Sequence, residues 1–124
     1  MAHSYRDLHV WQKSMDLVES IYRATQNFPK EETYGLVSQM RRAAVSVPSN
    51  IAEGQGKMSH GEFRQAIGHA RGSLLELETQ VLISQRLGYL GQLEVVDLME
   101  KATEIKRMLH GLAESLLETP AARN

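Results

Sequence analysis

The chain has 124 residues, 42% of them hydrophobic, and its 14 Lys and Arg residues nearly balance 15 Asp and Glu residues. This size and composition predict one folded domain, and the net charge of −1 excludes nucleic-acid binding by bulk positive charge. The absence of cysteine excludes a disulfide scaffold, a Cys-ligated metal and a thiol nucleophile. No apolar run reaches the roughly 18 residues of a membrane helix, so we expect a cytoplasmic domain with no membrane partner.

Apolar residues at helical spacing predict a first helix near 8–27 and a second near 32–54. Pro29 ends the first helix, because the residue before a proline is pushed out of the helical conformation. The second helix ends at a glycine-rich turn that contains Gly54 and Gly56.

A capping box predicts where the third helix begins. Ser59 can accept a backbone N–H bond, and Glu62, three residues later, can reach back to the start of the helix. The apolar pattern then predicts a third helix near 59–88, ended by a glycine, and a fourth near 91–118. We expect the tail, 120–124, to be frayed.

Four helices with short connections predict an all-α fold, an up-down-up-down four-helix bundle that occupies 1–124 as a single domain. Pro48 lies inside the second helical pattern, where a proline removes a backbone hydrogen bond and costs about 3 kcal/mol. The helix either restarts at Pro48 or continues through a kink. The kink is favoured, because the apolar spacing stays in phase from Val47 to Ile51.

The sequence lacks the usual patterns of a metal or catalytic site. Di-metal sites in four-helix bundles use Glu-x-x-His, and no histidine here has a glutamate three residues before it. The segment around Gly56 and Lys57 resembles a phosphate-binding loop, but Ile51 and Met58 replace its first glycine and its Ser/Thr. No serine lies in a nucleophile elbow. We therefore expect no catalytic residues, metal or cofactor, and no enzyme activity.

Basic side chains are concentrated in the segment 41–71. It holds five basic and two acidic residues, a net of +3, whereas the other 9 basic and 13 acidic residues give −4. Arg64 and Arg71 share a face of the third helix, which neighbours the second, so we predict one local basic patch. The alternative is a solvated, salt-bridged surface. The predicted nucleic-acid-binding residues are Arg41, Arg42, Lys57, Arg64 and Arg71.

Two further groups of residues require an explanation. Asn50, Glu53 and Glu76 fall beside apolar positions, where a buried carboxylate needs a partner such as an arginine. They form either an internal ion-pair network or a ligand site. Gly68 and Gly72 each cost about 1 kcal/mol inside a helix, so we expect another backbone to approach them, within the bundle or from another subunit.

Several motifs together resemble a known family. They are Leu8-x-x-Trp11, Phe28-Pro29-x-Glu31, Tyr34-Gly35-Leu36, Gln39-Met40-Arg41-Arg42-Ala43-Ala44, Ser46-Val47-Pro48-Ser49-Asn50-Ile51-Ala52-Glu53-Gly54, Phe63, Gly72-Ser73, Glu76 and Leu87-Gly88-Tyr89. From about Tyr5 to Leu90 the chain resembles the bacterial four-helix-bundle proteins named after the 23S ribosomal RNA intervening-sequence protein. The resemblance implies a homo-oligomeric ring, a pentamer, with a continuous but kinked helix through Pro48. A related group, the accessory proteins of diversity-generating retroelements, is similar in fold, and its members are thought to bind nucleic acid.

Three functions are compatible with these features. The leading one is a non-enzymatic ring that binds RNA or DNA through the basic patch, since symmetry multiplies a modest patch. The alternative is a protein–protein interaction scaffold with no nucleic-acid ligand, whose surfaces at Tyr5, Trp11 and Tyr34 recruit a partner. The third is an enzyme or small-ligand sensor that uses the polar group of Asn50 and its two glutamates.

Overall fold

The computed structural model describes residues 4–117, which contain four long helices. These are α1, His9–Thr25; α2, Ser38–Gln55; α3, His60–Arg86; and α4, Gln92–Leu117. No strand occurs among residues 4–117, so the all-α prediction is confirmed. The tail predicted to be frayed lies outside the described residues.

Consecutive helices run antiparallel and form a four-helix bundle. Across α2 and α3, Ser46 lies beside Ser73 while Gly54 lies beside Ala66, so residue numbers rise along one helix as they fall along the other. The fourth helix packs against both α3 and α1, which closes the bundle. Within residues 4–117, no helix is both long enough and apolar enough to cross a membrane.

The apolar faces of all four helices meet in one core. Its fully buried side chains include Leu17 and Ile21 of α1, Met40 and Ile51 of α2, Leu74 and Leu77 of α3, and Ile105 and Leu109 of α4. Two buried serine hydroxyls of the core are satisfied within their own helices: Ser14 donates to the carbonyl of Val10 at 2.7 Å and Ser84 to that of Gln80 at 2.8 Å. Burial of this apolar surface is what holds the helices together.

The start of α3 follows the predicted capping box. The backbone N–H of Glu62 donates to Ser59 Oγ at 3.1 Å, and this Oγ lies 3.2 Å from Glu62 Oε1. After α3, Gly88 has φ of +81°, the left-handed conformation that favours glycine at the end of a helix.

The start of α2 differs from the prediction of a helix from about residue 32. A 3-10 turn, Lys30–Glu32, leads into a π-helical segment, Thr33–Val37, in which Gly35 has φ −107° and ψ −109°. The carboxylate of Glu32 accepts the N–H of Leu36 at 3.2 Å, so a side chain replaces a backbone bond where the helix is interrupted. Regular α-helix therefore begins only at Ser38.

Glu32 also joins this segment to the turn between α3 and α4. The Tyr89 hydroxyl donates to Glu32 Oε2 at 3.0 Å, and the Tyr89 ring lies 5.2 Å from that of buried Phe28. The hydrogen bond, then burial, then the charges of Glu32 and Glu31 raise the pKa of Tyr89 above 10.0.

Pro48 lies in the middle of α2, which continues through it from Ser38 to Gln55, so the helix does not restart there. The side chain of Pro48 is buried. The next two residues bond back to the preceding turn: Ser49 Oγ donates to the carbonyl of Val45 at 2.8 Å, and Asn50 Nδ2 donates to that of Ser46 at 2.8 Å. These carbonyls lie one and two residues after that of Ala44, which Pro48 leaves without its usual N–H partner.

Candidate interaction surfaces

Arg41 is half-buried, and its guanidinium binds α1. Nε donates to Thr25 Oγ1 at 2.9 Å, and Nη2 donates to the carbonyl of Tyr22 at 3.3 Å. The guanidinium carbon lies 4.4 Å from the centroid of the Tyr22 ring, a cation–π contact. Arg41 therefore joins the beginning of α2 to the end of α1.

Arg42 is exposed on the outer side of α2, where it borders two different cavities. One lies between α2 and α3 and is also lined by Ser73 and Glu76. The other lies between α1 and α2 and is also lined by Tyr22 and Tyr34. Arg42 forms no ion pair with any residue of the described range 4–117.

Arg64 and Arg71 are exposed on a side of α3 that does not face α2. Arg71 follows Arg64 by seven residues and Glu78 follows Arg71 by seven, so all three lie along one line of the helix. Glu78 forms an ion pair with Lys106 at 2.9 Å, so this line runs beside α4. Ser73, which faces α2, comes two residues after Arg71 and is therefore about 160° away from it around the helix. The two arginines therefore do not face α2.

The predicted basic residues consequently do not form one patch, which corrects the sequence interpretation. Arg41 is bound to α1, Arg42 lies on the outer side of α2, and Lys57 is exposed in the turn after α2. The spacing of Arg64 and Arg71 correctly placed them on one face, but that face is an exposed side of α3 that does not meet α2. The positive charge is distributed around the bundle.

One of the two alternatives for Asn50, Glu53 and Glu76, an internal ion-pair network, is not formed within residues 4–117. Both glutamates are exposed, and neither forms an ion pair within residues 4–117. Asn50 is half-buried, where Nδ2 donates to the carbonyl of Ser46 and lies 2.9 Å from its Oγ. The Oγ of Ser46 in turn shares a 2.8 Å hydrogen bond with Ser73 Oγ, so Asn50 contributes to the contact between α2 and α3.

Gln80 is a buried polar residue that sequence reasoning missed. Its Nε2 donates to Glu76 Oε2 at 3.4 Å, while Oε1 has no hydrogen-bond partner within residues 4–117. The only sequence signal was its place between Leu77 and Val81 on the apolar face of α3.

The last turn of α2 has a structural role. An added Cβ at Gly54 would lie 2.7 Å from the Ala66 Cβ and 2.8 Å from the Phe63 ring, so glycine allows α2 and α3 to approach closely. No group of three His, Asp or Glu side chains within residues 4–117 is placed to hold a metal ion.

One apolar surface lies between α1 and α2, and we call it the apolar groove. The Tyr5 ring packs edge-on against Trp11 with centroids 5.2 Å apart. The groove has a volume of about 310 Å³ and is lined chiefly by Tyr5, Trp11, Met15, Val45 and Pro48. Two aromatic residues of the predicted scaffold surface, Tyr5 and Trp11, thus meet here, whereas Tyr34 lies elsewhere.

A second apolar surface lies on α3, and we call it the apolar ridge: Leu75, Leu82 and Ile83, each more than 40% exposed. Gly68 and Gly72 lie on the same side of the helix, and nothing lies within 4 Å of a Cβ added at either. No backbone of residues 4–117 therefore approaches these glycines, so the approach expected from within the bundle does not occur there.

Comparisons with known proteins agree with this fold. A crystal structure of a protein of unknown function from the S23 ribosomal protein family of Bacteroides thetaiotaomicron superposes with a TM-score of 0.76. The two sequences are 21% identical, and the match covers 84% of this chain and 97% of the chain in the crystal structure, so the likeness shows the fold alone. No curated protein matches the chain. The model of the 23S rRNA-intervening sequence protein family matches residues 6–111, and the chain therefore belongs to that family.

Proposed function

We propose that this protein is a non-enzymatic cytoplasmic scaffold whose copies assemble into a ring, a pentamer. The observation that supports the assembly is the presence of two separate uncovered apolar surfaces. The apolar groove lies between α1 and α2, and the apolar ridge lies on α3. Apolar patches of this kind on a small bundle are typical of protein–protein contacts.

The difference between the two surfaces favours a ring over a twofold dimer. A twofold interface pairs one patch with itself, whereas unlike patches pair head to tail and close into a ring when the rotation allows. In this proposal Leu82 of one copy docks against Trp11 of the next. A kink of α2 at Pro48, which lines the groove, shapes the groove for this contact.

Light scattering coupled to gel filtration tests the assembly. We expect an oligomer for the natural chain and smaller species for Leu82→Glu, because a buried unpaired carboxylate disrupts an apolar contact. Met58→Glu is the matched control, since Met58 is 97% exposed and lies on neither surface. A natural chain that stays monomeric at high concentration contradicts the proposal.

Recruitment of another protein is tested by a pull-down from nuclease-treated lysate. A protein partner remains bound after nuclease, whereas a partner held through RNA is lost. Trp11→Ala should remove the partner only if the apolar groove also serves in recruitment.

Nucleic-acid binding is the second candidate, supported by one observation. Arg42, Lys57, Arg64 and Arg71 are exposed and take no part in the ion pairs of residues 4–117. Distributed over several subunits, these cations give a ring many weak phosphate contacts, and avidity strengthens the sum.

A filter-binding titration of structured RNA tests this candidate. We expect binding at about 50 mM salt that weakens steeply as salt rises, because phosphate contacts release counterions. Arg64→Glu should weaken it, and Arg107→Glu, which is exposed on α4 and lies on neither apolar surface, is the control for a change of charge alone. Absence of binding at about 50 mM salt contradicts it.

A further inference from the structure

The cavity between α1 and α2 that Arg42 borders is lined by aromatic and basic side chains, and we call it the tyrosine cleft. Its volume is about 590 Å³, and it lies beyond the apolar groove, toward the end of α1. Its principal lining residues are Tyr22, Tyr34, Val37, Arg41, Arg42 and Val45. Among residues 4–117 no carboxylate lines it, whereas Glu76 lines the cavity on the other side of α2.

Tyr34 projects from the wall of the cleft. Its side chain is 95% exposed, and it belongs to the π-helical segment in which Gly35 departs from helical geometry. Both faces of the ring are open to solvent at this exposure. The cost of leaving so large an aromatic ring in water is not recovered by any packing within the described chain.

The other wall carries a fixed positive charge. Arg41 is held by its two hydrogen bonds and by the Tyr22 ring, so its guanidinium loses little freedom when a ligand binds. These bonds use two of its five N–H donors. Arg42 adds a second guanidinium that forms no ion pair within residues 4–117.

We propose that the tyrosine cleft binds a nucleotide unit of single-stranded nucleic acid. The base stacks on Tyr34, and the phosphate binds the guanidinium of Arg42. Exposed aromatic rings beside arginines bind unpaired bases in this way, because every base offers a flat face and every linkage an anion. The proposal rests on the second candidate function, nucleic-acid binding, and names the form of its ligand.

The geometry favours a nucleotide over an acidic peptide. A peptide side chain gains most from a pocket that encloses it, but Tyr34 stands free at 95% exposure. A base needs only a flat surface of its own size. Val45, 40% exposed, supplies apolar contact at the edge of the cleft.

Fluorescence anisotropy with a labelled single-stranded RNA, a duplex of the same sequence and an acidic aromatic peptide tests the proposal. Tyr34→Ala should weaken single-strand binding at least ~5-fold, the lower limit for loss of one base–aromatic stack. Tyr34→Phe should retain the affinity, because the ring remains. Met58→Ala, which removes another exposed side chain, is the matched control.

The results of these measurements distinguish binding at the tyrosine cleft from nucleic-acid binding elsewhere on the protein. A loss with Tyr34→Ala and Arg42→Ala that is confined to the single strand supports the proposal. Single-strand binding that depends on Arg64 but not on Tyr34 overturns the cleft and leaves nucleic-acid binding standing. Absence of RNA binding at about 50 mM salt overturns both the cleft proposal and the nucleic-acid-binding function. Tyr34-dependent binding of the peptide, with no binding of RNA, overturns both as well.

Discussion

Gly54 lies so close to Ala66 that a Cβ at position 54 would be 2.7 Å from the Cβ of its neighbour. Such a distance is shorter than side-chain atoms allow, so one helix must shift to admit a methyl group. The contact lies at the end of α2, where the chain turns toward α3. Gly54, which lies beside the segment that resembles a phosphate-binding loop, therefore sets the separation of α2 and α3.

We expect Gly54→Ala to destabilise the protein. Overpacking a tight contact costs about 1–3 kcal/mol, which exceeds the gain of about 1 kcal/mol in helix propensity. Gly111→Ala is the matched control, since nothing lies within 4 Å of its added Cβ and it should stabilise α4. Urea unfolding at one fixed protein concentration compares the two, and an equal gain in both variants contradicts the predicted clash.

Adjacent arginines should differ sharply in their effect on stability. Arg41→Ala removes two hydrogen bonds and a cation–π contact, for which we expect a loss of about 1–2 kcal/mol. Arg42→Ala should stay within about 0.5 kcal/mol of the natural chain, because the side chain is exposed and forms no ion pair within residues 4–117. Urea unfolding of both variants measures this difference, and equal losses would show that Arg41 has no special structural role.

Tyr89 should make stability depend on pH only in alkaline solution. Its hydrogen bond to Glu32, its burial and the nearby carboxylate charges raise its pKa above 10.0, and only the protonated hydroxyl donates to Glu32. The resulting stabilisation is full below pH 10.0 and is lost as the pH rises through the folded-state pKa. The advantage of the natural chain over Tyr89→Phe should therefore shrink above that pH.

Ultraviolet absorbance during an alkaline titration follows the same group directly. The folded protein should show a tyrosine ionisation displaced to higher pH, and Tyr89→Phe should remove that late ionisation. Glu32→Ala should return the pKa of Tyr89 toward its usual range, since the hydrogen bond that is the main cause of the shift is lost. A late ionisation that survives Tyr89→Phe belongs to a different tyrosine.

The sequence predicted the helices well, because the hydrogen bonds that cap a helix join residues only a few positions apart. Ser59 and Glu62 form the hydrogen bonds that their spacing indicated, and Gly88 has the expected conformation. The π-helical segment was not predicted, since it depends on the carboxylate of Glu32 and on its bond to Tyr89, 57 residues away. Spacing along one helix carries no information about such a contact.

The surfaces were harder to predict, because they depend on how each helix is rotated against its neighbours. Seven-residue spacing put Arg64 and Arg71 on one face but did not say which helix lies beside it. Glu78 on the same line, paired with Lys106, shows that the neighbour is α4. Glu53 lies next to an apolar position in sequence, yet one residue turns a side chain by about 100° and exposes it.

The glycines of α3 provide a test of where the proposed ring interface lies. Nothing approaches a Cβ at Gly72 within the described chain, so Gly72→Ala should stabilise an isolated subunit by about 1 kcal/mol. If a neighbouring copy packs against the apolar ridge, the same methyl group should weaken the assembly. We therefore expect Gly72→Ala to dissociate at higher protein concentration by light scattering while its subunits unfold at higher urea. Gly111→Ala, on α4, should raise stability without affecting assembly, and an unchanged oligomer in Gly72→Ala would place the interface away from this part of α3.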